Sequence, residues 1–134
     1  MNPSLVGSEM CIRDRISILL SQNKSFGNST VTVAHSRSKD LEKLCLDSDI
    51  IISAIGIPEF IKGNMIKKGS SIIDVGITRV DDSSSPKGYR IVGDVDFKSV
   101  SNTVGYITPV PGGVGPMTIS MLLKNTLKAC EISD

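Results

Sequence analysis

The sequence predicts an α/β domain built on a parallel sheet with helices on both faces. Two observations carry this expectation. The runs Ile50–Ile55 and Ser71–Ile77 are almost continuously apolar, as strands buried on both faces are. Segments with helical periodicity alternate with the strand-like ones along the chain, the pattern of a parallel sheet with crossover helices.

The elements follow in order. Ile16, Ile18, Leu19 and Leu20 read as the end of a helix, and Lys24–Ser29 as a polar loop. Thr30–Ala34 is short and β-branched, hence a predicted strand. Ser38 or Asp40 can cap a helix whose Leu41, Leu44 and Cys45 share one face. Gly56 and Pro58 end the Ile50–Ile55 strand, and Phe60–Lys68 is expected to form a short helix closed by Gly69. After the Ser71–Ile77 strand, Arg79-Val80 and Arg90–Val92 can pair as a hairpin around the polar stretch Asp81–Gly88. Tyr106–Val110 is a last strand. A Gly/Pro-rich loop then leads into the longest helix, with Ile119, Leu122, Leu123, Leu127 and Cys130 as its apolar stripe opposite Lys124, Lys128 and Glu131.

Composition narrows the function. The 134 residues suit one domain of ordinary soluble make-up, 40% hydrophobic and 22% charged. A net charge of +1 lacks the basic surplus of a nucleic-acid reader, and 4% aromatics without Trp offer no stacking platform. No apolar run approaches the ~20 residues of a membrane span. Cys11, Cys45 and Cys130 have neither zinc-site spacing nor an even count, and His35 is the only histidine, so neither a metal site nor a Ser-His-Asp triad is expected. Three unpaired thiols suit a reducing cytoplasm, and Leu5-Val6 makes no signal-peptide core.

Residues 1–15 read differently from the rest, with no helical or alternating period. Met10-Cys11-Ile12-Arg13-Asp14-Arg15 back-translates to ATG TGT ATA AGA GAC AG, which resembles a transposon adapter of sequencing libraries. The expectation is an artefactual or disordered leader over 1–15 and a domain over 16–134.

In an open parallel sheet, ligands bind beyond the carboxyl ends of the strands. Three such ends stand out. His35-Ser36-Arg37 offers a hydroxyl and a cation where a dinucleotide fold often has a ribose-binding acid, which suits a 2′-phosphate; a polar helix-capping loop is the bland alternative. Asp74-Val75-Gly76-Ile77 combines close backbone approach at Gly76 with an apolar contact at Ile77, and Asp74 reads equally well as a structural hydrogen-bonding group. In Pro109–Thr118, Pro116 fits a first helical turn, and the amides around Gly115, Met117 and Thr118 can receive an anion or a polar ring edge.

The literal string PGGVGPMTI is more specific than its chemistry. With TVTVAHSRS, DIIISAIGIPEFI, IIDVGI, IVGDVDF and YITPVPGGVGPMT in the same order, the chain resembles the bifunctional methylenetetrahydrofolate dehydrogenase/methenyltetrahydrofolate cyclohydrolase family over roughly Ile16–Cys130. The resemblance implies a Rossmann-like cofactor domain using NADP, with NAD the alternative. It implies that Ser36 and Arg37 face the 2′-phosphate, that Ile77, Gly115 and Thr118 contact the cofactor, and that Pro111, Gly112, Gly113 and Val114 line the side shared with folate. Thr78 stands where the family usually has Asn. The family's first, central strand, its Gly-Arg-Ser loop and its folate domain with catalytic Lys and Tyr would precede Ile16. None is recognisable here, so no catalytic residue is assigned. The chain then reads as a cofactor-domain fragment, inactive alone, of an enzyme acting on tetrahydrofolate derivatives, a homodimer when intact. The remaining alternatives are a stand-alone nucleotide-binding or dimerisation module and an unrelated oxidoreductase with a similar loop. Loss of the central strand would also leave a slot between Thr30–Ala34 and Ile50–Ile55.

Overall fold

The computed structural model describes residues 3–25 and 27–133. Its centre is a three-stranded parallel sheet, order β1-β2-β5. Strand β1 (Ile50–Ser53) pairs with β2 (Ser71–Asp74), which pairs in turn with β5 (Tyr106–Ile107). The pairing continues past the formal strand ends. Val75 N–H donates to Ser53 O at 2.8 Å and Thr108 N–H to Ile72 O at 3.1 Å, so all three carboxyl ends finish level. The predicted hairpin forms as β3 (Thr78–Asp81) antiparallel to β4 (Tyr89–Val92), with the Arg79 guanidinium 3.6 Å above the Tyr89 ring.

The core gathers Cys45, Ile51, Ile61, Ile66, Ile72, Val95 and Val100. Helix α2 (Leu41–Leu46) turns Cys45 inward, with Leu41 half-buried beside it. Asp40 holds the cap position but makes no side-chain cap bond, and the Ser38 hydroxyl accepts the His35 amide instead. Helix α3 (Phe97–Val100) is capped by Asp96, whose carboxylate accepts the Ser99 amide, and it buries Val100 completely.

Three expectations are corrected. Phe60–Lys68 is not a helix: Ile61 donates to Asp94 O at 3.0 Å and accepts from Asp96 N–H at 2.9 Å in a parallel bridge with Val95. Those bonds take the backbone groups a helix needs, leaving only a 3-10 turn at Gly63–Met65. Among the described residues Thr30–Ala34 joins no ladder, because β propensity without a neighbouring strand forms no sheet. Among the described residues neither direct pairing with β1 nor a strand from the leader fills the expected slot. At the front of the chain, helix α1 spans Pro3–Ser21, with Ile16, Ile18, Leu19 and Leu20 in its last turns, where a helix end was expected. Residues 3–15 lie within this helix; Met1 and Asn2 lie outside the described residues. Arg13 from this helix donates to Ala34 O at 3.3 Å, and Ser29 N–H closes its end on Leu20 O.

The last correction concerns α4 (Val114–Ser133). Among the described residues its apolar stripe faces solvent: Ile119, Leu122, Leu123 and Leu127 are all more than 60% exposed. Amphipathic period shows which face seeks burial and not whether a neighbour is present.

Candidate site at the strand carboxyl ends

The level strand ends are locked by two buried carboxylates. Asp74, at the end of β2, accepts the amides of Gly76 (2.9 Å) and Asp94 (3.1 Å) on Oδ1 and of Val95 (3.0 Å) on Oδ2. Asp94 accepts the amides of Ile55 (2.5 Å) and Gly56 (3.1 Å) beyond β1, with the Ser53 hydroxyl at 3.5 Å. Asp94 thus ties the end of β1 to the segment that Asp74 holds from β2. Thr108 adds β5, its Oγ1 accepting the Asp74 amide at 2.8 Å. Two glycines make room for this clasp. A Cβ on Gly76 would lie 2.3 Å from Asp94 Cγ, and one on Gly93 would lie 1.9 Å from Asp74 Oδ2.

Burial pushes the Asp74 carboxyl above the ordinary carboxylate value; its three amide donors oppose this, and the Asp94 charge adds to the rise. The folded chain therefore holds this proton more tightly than the unfolded chain. The resulting stabilisation is present below the ordinary value and is lost as pH rises through the raised one. Asp49, bonded to Lys67, and Asp82, bonded to Ser84, are shifted down and act in the opposite sense. In a carbon-detected NMR titration, Asp74 is expected to show a midpoint above those of Asp49 and Asp82. The reverse order would mean that the amide donors outweigh burial.

The predicted site residues fall into two groups. Ile77 follows the clasp directly and is 71% exposed, an apolar side chain offered to the solvent-facing end of the sheet. Pairing of β2 with β5 sets the neighbouring strand end, and hence the loop at Pro111, Gly112, Gly113 and Val114, on the same side of the sheet. Gly112 has φ +98, a backbone conformation that disfavours side chains, and a Cβ on Gly113 would lie 2.3 Å from Pro109 O. Gly115 lies in the first turn of α4, where a Cβ on it would meet no neighbour, and Thr118 follows directly after that turn. The Thr118 hydroxyl is turned back onto Val114 O at 3.1 Å.

Ser36 and Arg37 form the other group. They stand exposed on a tight turn in which Ser38 N–H donates to His35 O and Arg37 N–H to His35 Nδ1. No described hydrogen bond links this turn to the strand ends. A cleft of ≈ 220 Å³ also opens beside the clasp, walled by Asp74, Arg90, Gly93, Thr108 and Val110. It is too small for a dinucleotide, and none of the predicted cofactor residues lines it.

Sequence reasoning missed Asp94 and its role. The signal was an acid inside the apolar run Ile91-Val92-Gly93-Asp94-Val95, the same kind of signal as Asp74 gives in its own strand.

Level parallel strands, glycines at their ends and an exposed helix N-terminus beside them define a parallel α/β ligand-binding domain. The chain matches tetrahydrofolate dehydrogenase/cyclohydrolase, NAD(P)-binding domain, over residues 2–134, and it belongs to that family. The match reaches into the segment read above as a leader. Bifunctional protein FolD of Flavobacterium johnsoniae is 57% identical over 125 residues, covering 93% of this chain and 42% of that protein. The Bacteroides fragilis protein of the same name is 51% identical, with 93% and 43% covered. The chain therefore spans less than half the length of these relatives.

Solved structures agree with the fold. The 5,10-methylenetetrahydrofolate dehydrogenase from the silkworm Bombyx mori superposes with a TM-score of 0.75 at 45% identity, covering 88% of this chain and 40% of that one. The Trypanosoma brucei methylenetetrahydrofolate dehydrogenase-cyclohydrolase, complexed with NADP cofactor and inhibitor, gives 0.72 at 51% identity, covering 78% and 36%. No helix among the described residues is long and apolar enough to cross a membrane.

Proposed function

We propose that this chain is the NADP-binding part of a cytoplasmic enzyme that oxidises methylene-tetrahydrofolate and hydrolyses the methenyl product to formyl-tetrahydrofolate. The observation that carries the proposal is the parallel pairing of β2 with β5, which sets Gly76-Ile77 and the Pro111–Thr118 loop at one end of the sheet. The residues suit the cofactor. Ser36 and Arg37 bring a hydroxyl and a cation to a 2′-phosphate, and Ile77 supplies an apolar contact. The first-turn amides of α4, which no helical carbonyl accepts, face a polar ring edge. NADP, when bound, accepts the hydride.

The chain's own residues bind and orient. The Asp74–Asp94 clasp fixes the strand ends against which one ring rests, and Pro111, Gly112, Gly113 and Val114 shape the wall shared with folate. Positioning of this kind supplies much of the rate in hydride transfer. Water activation for cyclohydrolysis is assigned to no residue here. The intact enzyme is proposed to be a homodimer, NAD being the alternative cofactor.

Titration calorimetry of the purified chain tests this reading. Binding of NADP is expected to be weak, with a dissociation constant of roughly 100 µM, and tighter than binding of NAD. Ser36→Asp, which sets a carboxylate against the 2′-phosphate, is expected to weaken NADP about tenfold and leave NAD unchanged. Neither dehydrogenase nor cyclohydrolase turnover is expected from the chain alone. Equal affinity for the two dinucleotides, or indifference to Ser36→Asp, would overturn the NADP assignment; turnover by the chain would show that catalytic groups lie among residues described here as structural.

A further inference from the structure

The Asp74–Asp94 clasp does more than tie strands together: it places two carboxyl groups at the strand ends that, among the described residues, pair with no cation. Asp94 is fully buried and Asp74 is 3% exposed. Among the described residues, every hydrogen bond their carboxylate oxygens accept comes from an uncharged donor, six backbone N–H groups or hydroxyls in all belonging to Ser53, Ile55, Gly56, Gly76, Asp94 and Val95. Two cations, Arg90 and Lys98, line the cleft that Asp74 also lines. The Arg90 guanidinium is engaged 3.1 Å from Glu59 and 3.9 Å from Asp82, and among the described residues neither cation forms an ion pair with Asp74 or Asp94. Backbone amide donors around a carboxyl favour its ionised form, and charge buried this way is felt over a longer range than charge in water.

That charge lies directly behind the proposed cofactor wall. The space where a Gly76 side chain would begin is taken by the Asp94 carboxylate, so a single glycine backbone stands next to it, and Ile77 follows at once. We infer that Asp94, backed by Asp74, makes this wall discriminate the redox state of the cofactor, favouring the oxidised nicotinamide over the reduced one. The inference rests on the proposed placement of the cofactor along Ile77. The chemistry is simple. The oxidised nicotinamide ring carries a positive charge and the reduced ring is neutral, while the phosphates are the same in both. A fixed negative charge behind the ring therefore acts on the difference between the two forms. The amide dipoles around each carboxylate offset part of its field, which leaves an expected preference of roughly three- to tenfold.

The test is an NMR titration of the full chain at neutral pH with three probes: NADP+, NADPH and 2′,5′-ADP, which lacks the nicotinamide. The unsubstituted chain is expected to bind NADP+ roughly three- to tenfold more tightly than NADPH. Asp94→Asn is expected to bring the ratio close to one while leaving affinity for 2′,5′-ADP unchanged. A merely structural role would weaken all three probes together. Equal binding of the two dinucleotides by the unsubstituted chain overturns the inference, as does a folded Asp94→Asn chain that keeps the ratio. Should Asp94→Asn fail to fold, the ratio for the unsubstituted chain and its reduction in Asp74→Asn decide the matter. Binding of 2′,5′-ADP with no redox preference refutes this inference and leaves the cofactor reading standing. Absence of binding by all three probes refutes both.

Discussion

Asp94→Ala is expected to destabilise the chain by about 3–5 kcal/mol, since each buried donor left unpaired costs about 1–3 kcal/mol. The substitution strands the Ile55 and Gly56 amides and the Ser53 hydroxyl at the end of β1. Removing the carboxylate also removes its own burial cost, so the expected loss is less than the sum over the three donors. The loss should be read from the midpoint of urea unfolding followed by circular dichroism, with an unchanged slope. Asp94→Asn keeps one acceptor oxygen and is expected to lose less. A loss under about 1 kcal/mol would mean that water re-pairs the donors, and that Asp94 is not what joins β1 to the segment after β4.

Gly93→Ala is expected to cost about 2–4 kcal/mol, at the upper end of overpacking effects because the obstruction is a hydrogen-bonded carboxylate. Its methyl group would lie 1.9 Å from Asp74 Oδ2 and 2.9 Å from Val110 Cγ2. Asp74 cannot yield without breaking its bonds to Gly76, Asp94 and Val95. The two positions should therefore couple. In a double-mutant cycle, Asp74→Ala combined with Gly93→Ala is expected to cost less than the two single losses added together, by at least about 1 kcal/mol. Simple additivity would show that Gly93 relaxes by a backbone shift that leaves the carboxylate in place.

Much of the sheet was legible in the sequence because its strands announce themselves locally. Ile50–Ile55 and Ser71–Ile77 are apolar runs bounded by turn residues, and β1 and β2 begin at the first residue of each. The hairpin of β3 and β4 was legible for the same reason, its two arms flanking a polar stretch. Thr30–Ala34 has equally strong local preference and forms no ladder, which shows the limit of such reasoning: a strand is a property of a pair. Phe60–Lys68 was misread because the Ile61 bridge to Val95 links residues 34 positions apart.

The proposed site divides in the same way. The string around Pro111–Thr118 and the pair Gly76-Ile77 were visible as residues, and the resemblance they carry agrees with the family match over residues 2–134. Asp74 was visible as an acid in an apolar strand, but its partners were not, since three of the elements it helps to join come from distant parts of the chain. Asp94 went unread altogether.

By itself, the sequence determined which segments seek burial, where glycine permits backbone that other residues resist, and which family the ordered motifs resemble. These are local properties of side-chain size, polarity and backbone freedom. Tertiary structure alone decided that Asp74 and Asp94 lock three strand ends into one surface, that Thr30–Ala34 stays out of the sheet, and that the apolar stripe of α4 faces solvent. Hydrogen-bond satisfaction and burial depend on which groups the fold brings together, and neither period nor composition carries that information.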